Sequence, residues 1–328
     1  MVEFWATTLA FSILLYVLLD GFDLGVGMLF PFATGETERR RMLAAISPVW
    51  DGNETWLVVS AATLFGAFPM VFAILLPAFY LPMFLMLAGL ILRGVAFEFR
   101  DKTRRFRWLW DAGFVAGSYV AAFIQGVAVG ALVQGLPIQN GVYVGGPFGW
   151  ASPFALLCGA GLCIGYAMIG ACWITGKSEG RLRDFGFGVL PKLIAALLLF
   201  LVVVFIDALV IDLPVLHRWI ERPALFLCPL VGLAAFGVLI RSVYRGDDRF
   251  LFLAGAMIFL AAFTTLAASF LPYILPFSLT IQEAAAPLSS LEFLFWGAGL
   301  FVLPLTLAYT IAVYFIFRGK IRPEDSYR

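Results

Sequence analysis

Three short segments hold the residues best suited to move a charge. Residues 19–27 carry Asp20 and Asp23, three apart and therefore on one face of a helix. Residues 48–56 carry Asp51 and Glu54 at the same spacing, with Asn53 and Thr55 as hydrogen-bonding neighbours. Residues 92–100 carry Arg93 and Glu98. Carboxylates set close to one another and to a cation are what a proton or cation relay needs, because neighbours and desolvation tune their proton affinity. The same residues also suit a purely structural network, in which Asp51 sits at the positive end of a helix and Arg93 neutralises a carboxylate. Spacing alone leaves both readings open. Gly21 and Gly25, four apart, form a small-xxx-small pair that favours close helix contact.

Other chemistry is scarce. His217 is the only His in 328 residues, and it stands beside Arg218 and Glu221, where an interfacial polar role suffices. A haem held by two His of this chain is excluded, so a redox cofactor has to reside on a partner. Cys158, Cys163, Cys172 and Cys228 form no CxxC pair and read as small apolar packing residues. Gln125, Asp207 and Asp212 are isolated polar positions, and Pro272 and Pro276 read as the end of a helix. No phosphate-binding loop, nucleophile elbow or zinc-protease motif is present.

The elements that must position these residues follow from composition. Of the chain, 62% is hydrophobic and only 13% charged, with mean hydropathy +0.97. Those charges are too few to coat a soluble domain, and a net charge of +1 excludes a basic nucleic-acid face. A helix needs about 20 mostly apolar residues to cross a bilayer. Nine stretches satisfy this, at roughly 4–30, 48–72, 74–98, 111–134, 151–175, 187–211, 224–244, 250–276 and 292–317, all within one integral membrane domain over residues 1–328. Only Gly66–Pro69 separates the second from the third. With nine spans, 19 of the 22 basic residues fall on one side: Arg39, Arg40 and Arg41, then the group from Arg100 to Arg107 that includes Arg104, then three further groups ending with Arg322 and Arg328. Basic loops stay cytoplasmic, which predicts an outside N-terminus and a cytoplasmic C-terminus. The start, Met1-Val2-Glu3, lacks a basic leader region, so the first span reads as a retained helix. All three chemistry-bearing segments then lie at the cytoplasmic ends of spans 1 to 3.

The runs Asp20-Gly21-Phe22-Asp23-Leu24-Gly25-Val26-Gly27, Pro48-Val49-Trp50-Asp51-Gly52-Asn53-Glu54-Thr55-Trp56-Leu57 and Arg93-Gly94-Val95-Ala96-Phe97-Glu98-Phe99-Arg100 resemble subunit II of the cytochrome bd-type quinol oxidases. The Asn53–Trp56 and Gly94–Glu98 segments are most similar to the cyanide-insensitive branch, and the stretch from Tyr309 to Lys320 resembles the family's C-terminus. The likeness is specific over residues 18–100 and mainly hydrophobic in the middle. It implies an all-α fold of nine spans, arranged as two four-helix bundles plus a peripheral helix, in the bacterial inner membrane. It implies a partner, subunit I, that carries the haems and the quinol site, in a complex that oxidises quinol at the outer face and reduces dioxygen to water with cytoplasmic protons. No cofactor is assigned to this chain. The resemblance leaves room for a bound quinone or lipid and for a small single-span accessory subunit.

In that family the Asp of the Trp-Asp-Gly-Asn motif and the Trp five residues later belong to a proton path. Those positions are Asp51 and Trp56 here; Glu54, Asp20 and Asp23 are further candidates, with Arg93, Glu98 and Asn53 as the structural polar network. One departure is Val49, where relatives often have His. A rival from another class is a stand-alone transporter that couples cation movement to the same carboxylates, although no paired set of broken helices at the bilayer midplane favours it.

Overall fold

A computed structural model describes residues 1–103 and 105–321. Arg104, Arg322 and Arg328, counted above among the basic residues, lie outside the described residues. The chain begins with α1 (Val2–Leu29), a short amphipathic α2 (Glu36–Ile46), α3 (Trp50–Ala67), α4 (Pro69–Ala78), α5 (Tyr80–Phe99) and α6 (Arg107–Gln134). A small hairpin, β1 (Ile138–Gln139) and β2 (Val142–Tyr143), leads to α7 (Pro153–Lys177), α8 (Arg181–Val210), α9 (Pro214–Glu221), α10 (Leu227–Arg245) and α11 (Leu251–Phe270). A second hairpin, β3 (Tyr273–Leu275) and β4 (Leu279–Thr280), precedes α12 (Ile281–Ala284), α13 (Leu288–Leu294) and α14 (Val302–Ile316), the last two joined by a π turn at Phe295–Gly299.

Among the described residues, eight helices are long and apolar enough to cross a membrane, and the bent pair α3–α4 makes a ninth. The expected single break between spans 2 and 3 is corrected. Pro69 lacks an amide hydrogen and pushes Phe68 out of helical geometry, to φ −133° and ψ 59°, so α4 turns 120° away from α3. The Ala67 carbonyl, at the end of α3, accepts instead from the Ala286 amide at 2.9 Å. A second break at Phe79 starts α5 at Tyr80, so residues 74–78, assigned from sequence to the third span, belong to the connecting helix. The eighth span likewise stops at Phe270, and residues 273–280 form a hairpin.

Packing divides the helices into two groups of four. The first contains α1, α3, α5 and α6, and the second α7, α8, α10 and α11; α13 and α14 lie outside, against α3. The groups meet where α7 packs on α1 and α6. The most apolar stretch of α1 is 67% buried and that of α7 61%, against 11% for Leu288–Ile316, which identifies α1 and α7 as the axis and the last span as peripheral. Close approach at this axis requires glycine: a Cβ on Gly25 would fall 1.8 Å from the Tyr166 carbonyl oxygen, and one on Gly170 would meet the Gly25 backbone at 2.6 Å. Gly21 faces the Tyr166 ring in the same seam, at 2.6 Å.

The end of the bundle that carries the basic loops is tied by ion pairs. Arg100 is buried and binds Glu36 through both terminal nitrogens, at 3.0 and 2.9 Å, and Asp111 at 2.5 Å, which joins α2, α5 and α6. Burial raises the Glu36 carboxyl, but hydrogen bonds and charge from Arg100, with Arg40 and Arg107, outweigh it and hold the group below the ordinary carboxylate range. The C-terminal segment is fastened similarly: Lys320 binds Asp248 at 2.8 Å, Arg183 joins at 3.2 Å, and the Ile321 amide donates to the Lys177 carbonyl at 2.8 Å. For Asp248, burial again raises, while Lys320 and Arg183 lower it by more, to below the ordinary 3.8.

Two outcomes follow from this packing. Gly25→Ala should destabilise the protein by about 1–3 kcal/mol through overpacking, whereas Gly188→Ala, where an added Cβ meets nothing within 4 Å, should leave thermal unfolding unchanged; differential scanning fluorimetry of the purified complex distinguishes them. A carboxylate whose value is depressed by folding contributes above its unfolded value and loses that contribution as pH falls through the folded one. The C-terminal segment should therefore stay docked down to about pH 4, near the unshifted Asp value of 3.8. Asp248→Asn should release it at neutral pH, read as faster tryptic cleavage at Lys320.

Candidate functional site

The buried ionic cluster starts from Arg93 on α5, 1% exposed. Its Nη1 donates to Asp20 Oδ1 on α1 at 2.9 Å and to Glu54 Oε1 on α3 at 2.8 Å. One nitrogen thus links three helices. A guanidinium suits this position because it stays charged in any protein environment and offers several donors in one plane. Asp20 is fully buried, whereas the Glu54 side chain is 25% exposed and reaches from the surface to Arg93. Asp20 lies nine residues before the end of α1, roughly 14 Å deep at 1.5 Å per residue.

A second arm begins at Asp23, also fully buried. Asn53 Nδ2 donates to Asp23 Oδ2 at 2.6 Å and to the Leu19 carbonyl at 3.2 Å, and the Tyr314 hydroxyl donates to Asn53 Oδ1 at 3.0 Å. This arm brings in α14, the peripheral helix. Three carboxylates, Asp20, Asp23 and Glu54, therefore face one guanidinium. Asp20 Oδ2, Asp23 Oδ1 and both Arg93 Nε and Nη2 have no hydrogen-bond partner among the described residues. Unmatched buried polar atoms are costly, and in a polar pocket they are the atoms that hydrating water or an exchanging proton would engage.

The sequence-derived candidates separate on this geometry. Asp20, Glu54 and Arg93 meet directly, and Asp23 and Asn53 form the adjacent arm. Asp51 stands in the first turn of α3 with its side chain exposed, one turn before Glu54 and outside the buried cluster. Trp56 is buried and donates its Nε1 hydrogen to Thr310 Oγ1 at 3.3 Å, toward α14 rather than toward Asp51. Five residues of helix turn the two side chains about 140° apart, so they serve different surfaces. Glu98 is exposed in the last turn of α5. Sequence reading missed Tyr16, Tyr166 and Tyr314. Tyr16 had a signal, lying four residues before Asp20 on the same helical face; Tyr314 had none, since its partner is 261 residues away. Gln125 stood out only as an isolated polar residue, and it bridges Tyr16 and Tyr166.

Imidazole donors are scarce in this chain. The single imidazole, His217, sits on α9 with its side chain 64% exposed and hydrogen-bonded to Asp212 at 3.1 Å. Among the described residues no group of three or more His, Cys, Asp or Glu is arranged to hold a metal ion.

A frame of eight or nine apolar helices of membrane-spanning length, with a buried ionic cluster near its basic end, defines a polytopic integral membrane protein. The cytochrome bd terminal oxidase subunit II family matches residues 1–317, and the chain belongs to that family. It is 30% identical to the cytochrome bd-I ubiquinol oxidase subunit 2 of Escherichia coli, over 94% of this chain and 92% of that one. It is 29% identical to the cytochrome bd ubiquinol oxidase subunit 2 of Bacillus subtilis, over 98% and 97%. The bd oxidase structure from Geobacillus thermodenitrificans superposes with a TM-score of 0.75 at 17% identity, covering 96% of this chain and 99% of that chain, which establishes the shared fold. The chain is accordingly one subunit of an oxidoreductase complex and a multi-pass inner-membrane protein. The stand-alone transporter is left without support.

Arg93→Met should destabilise the subunit by about 3–5 kcal/mol, because it strands buried carboxylates without their cation. The same change combined with Asp20→Asn and Glu54→Gln should recover most of that loss. Yield and thermal unfolding of the purified complex measure both.

Proposed function

We propose that this chain stabilises the haem-bearing subunit I and supplies part of the proton-uptake route for reducing dioxygen to water, with quinol as electron donor. The observation that carries the reading is Arg93 Nη1 bridging a partly exposed carboxylate, Glu54, and a fully buried one, Asp20. A proton taken up at the surface meets Asp51 first, then Glu54 one turn further along α3, and passes beside Arg93 to Asp20. Arg93 keeps its proton throughout and acts by electrostatics: it holds both carboxylates at one nitrogen and compensates whichever is ionised. Water at the unmatched Asp20 and Asp23 oxygens supplies the intervening hydrogen bonds.

The sidedness belongs to the same proposal. With the N-terminus outside, the basic loops and the mouth of the cluster face the cytoplasm. Protons then reach the oxygen site from inside while electrons leave quinol outside, which charges the membrane. The Asn53–Trp56 and Gly94–Glu98 segments support placing the chain in the cyanide-insensitive branch. An apolar groove of about 630 Å³ between α5 and α6, lined by Leu92, Phe106, Trp110 and Gly113 among others, would accommodate a quinone tail or a lipid chain. The haems remain assigned to subunit I.

Asp51→Asn and Glu54→Gln are the test. Each should lower quinol oxidase turnover several-fold while haem content per complex stays normal. Unchanged turnover in both would sink the relay role, and loss of haem in either would make that residue structural.

A further inference from the structure

Beside the ion-paired end of the bundle, the groove between α5 and α6 opens beneath two exposed cations. The carboxylates at this end are drawn to the Arg100 clasp: Glu36 and Asp111 bind Arg100, Asp101 stands 3.5 Å from it, and Arg107 pairs with Glu36 at 3.1 Å. Among the described residues, Lys102 and Arg105 form no ion pair, and both are exposed. Each is seated instead on an aromatic ring at the rim of the groove. The Arg105 guanidinium lies 5.5 Å from the centre of the Phe106 ring, which lines the groove. The Lys102 ammonium lies 5.2 Å from the centre of Phe99, whose ring stacks at 5.9 Å on Trp110, another lining residue. An exposed cation held over a ring keeps its charge available to an anion while its stem covers apolar surface.

The groove itself has the reach of one hydrocarbon chain. The lining residues farthest from its mouth are Leu92, seven positions before the end of α5, and Ala116, nine positions after the start of α6. At 1.5 Å per residue these lie roughly 10–14 Å from the helix ends, against roughly 15 Å for one leaflet of the hydrocarbon core. Small residues of α6 make the space: a Cβ on Gly113 would fall 3.2 Å from Leu92, and Ala112 and Ala116, one turn apart, are exposed. Thr103 adds a hydroxyl at the mouth.

We propose that this groove binds one anionic phospholipid, with a chain lying between α5 and α6 and the phosphate held by Lys102 and Arg105. A quinone tail would fit the apolar part equally, but a neutral headgroup leaves both cations unused, whereas an anionic one meets them with opposite charge. The lipid covers Phe106 and Leu109, which are 50% and 47% exposed. It fastens the end of α5 and the start of α6 to the membrane surface from outside, while Arg100 fastens them from within. The inference rests on the groove as a chain-binding site and is independent of the relay role of the buried carboxylates.

The test uses the purified oxidase complex and two photoreactive lipids with the same diazirine-bearing chain, phosphatidylglycerol and phosphatidylcholine, with the labelled peptides mapped by mass spectrometry. Phosphatidylglycerol should label the α5 and α6 segments that line the groove at lower concentration than phosphatidylcholine. Lys102→Gln combined with Arg105→Gln should weaken that labelling about thirtyfold, the worth of two cations at a lipid surface. Arg241→Gln combined with Arg245→Gln, which removes two exposed cations of α10 at the same end, should leave it unchanged. Ala116→Phe fills the groove from an exposed position and should abolish labelling by both lipids. Equal labelling by the two lipids, or an equal loss in the α10 variant, overturns the anionic site while leaving a groove that binds chains. Absent groove labelling, or undiminished labelling in Ala116→Phe, defeats the chain-binding reading itself and the inference with it. Displacement of phosphatidylglycerol by equimolar quinone makes quinone the occupant, and loss of subunit I from Ala116→Phe makes this face a subunit contact; either result also overturns the proposal.

Discussion

A guanidinium buried to 1% exposure needs counter-charge, and Arg93 finds it on two other helices at once. Any structure that keeps Arg93 inside must bring α1 and α3 to within hydrogen-bond reach of α5, because breaking a buried pair leaves a stranded charge whose cost is several kcal/mol. The arrangement of the first three spans depends on this one nitrogen and its two carboxylate oxygens. The glycine seam between α1 and α7 serves the same end. It lets the second helix group press onto α1 and closes the far side of the cluster with Tyr166 in place of solvent.

The protein uses arginine–carboxylate pairing twice, with different results. Arg100 takes both oxygens of Glu36 and an oxygen of Asp111, and those acids are 41% and 18% exposed, so the cluster is open to water and suited to tying helix ends together. At Arg93 three carboxylates share one cation, and of the three only Glu54 is partly exposed, Asp20 and Asp23 being fully buried. Equal chemistry in the two places gives a clasp in one and a site whose charge and proton content are linked in the other. The difference is burial, since the same unmatched carboxylate that water satisfies at the surface must be satisfied by a proton or a dipole inside.

Much of the frame was legible because lipid imposes simple rules. A helix must satisfy its own backbone hydrogen bonds, so spans show as apolar runs of predictable length, and basic loops mark one side. What those rules miss is a helix that is apolar but does not cross: α4 reads as part of a span, and only Pro69 and the 120° bend set it apart. In the site, Asp20, Asp23, Glu54 and Arg93 were visible because charge in an apolar run is expensive and therefore conspicuous. Asp51 was equally conspicuous, but residue type cannot say that it points outward while Glu54, one turn on, points in.

The sequence by itself determined that this is a polytopic membrane subunit with its acidic residues near one end and without the histidines to hold a haem. Its motifs carried the family as a resemblance. Tertiary structure decided which of those acids share a cation and which face solvent, and it recruited Tyr16, Tyr166 and Tyr314, whose types draw no notice in a chain with 16% aromatic residues, joining two of them through Gln125. The physical reason is range. Helical periodicity and hydropathy are local and survive in the linear order of residues, whereas hydrogen bonds across 109, 41 and 261 positions of chain exist only once the helices have packed.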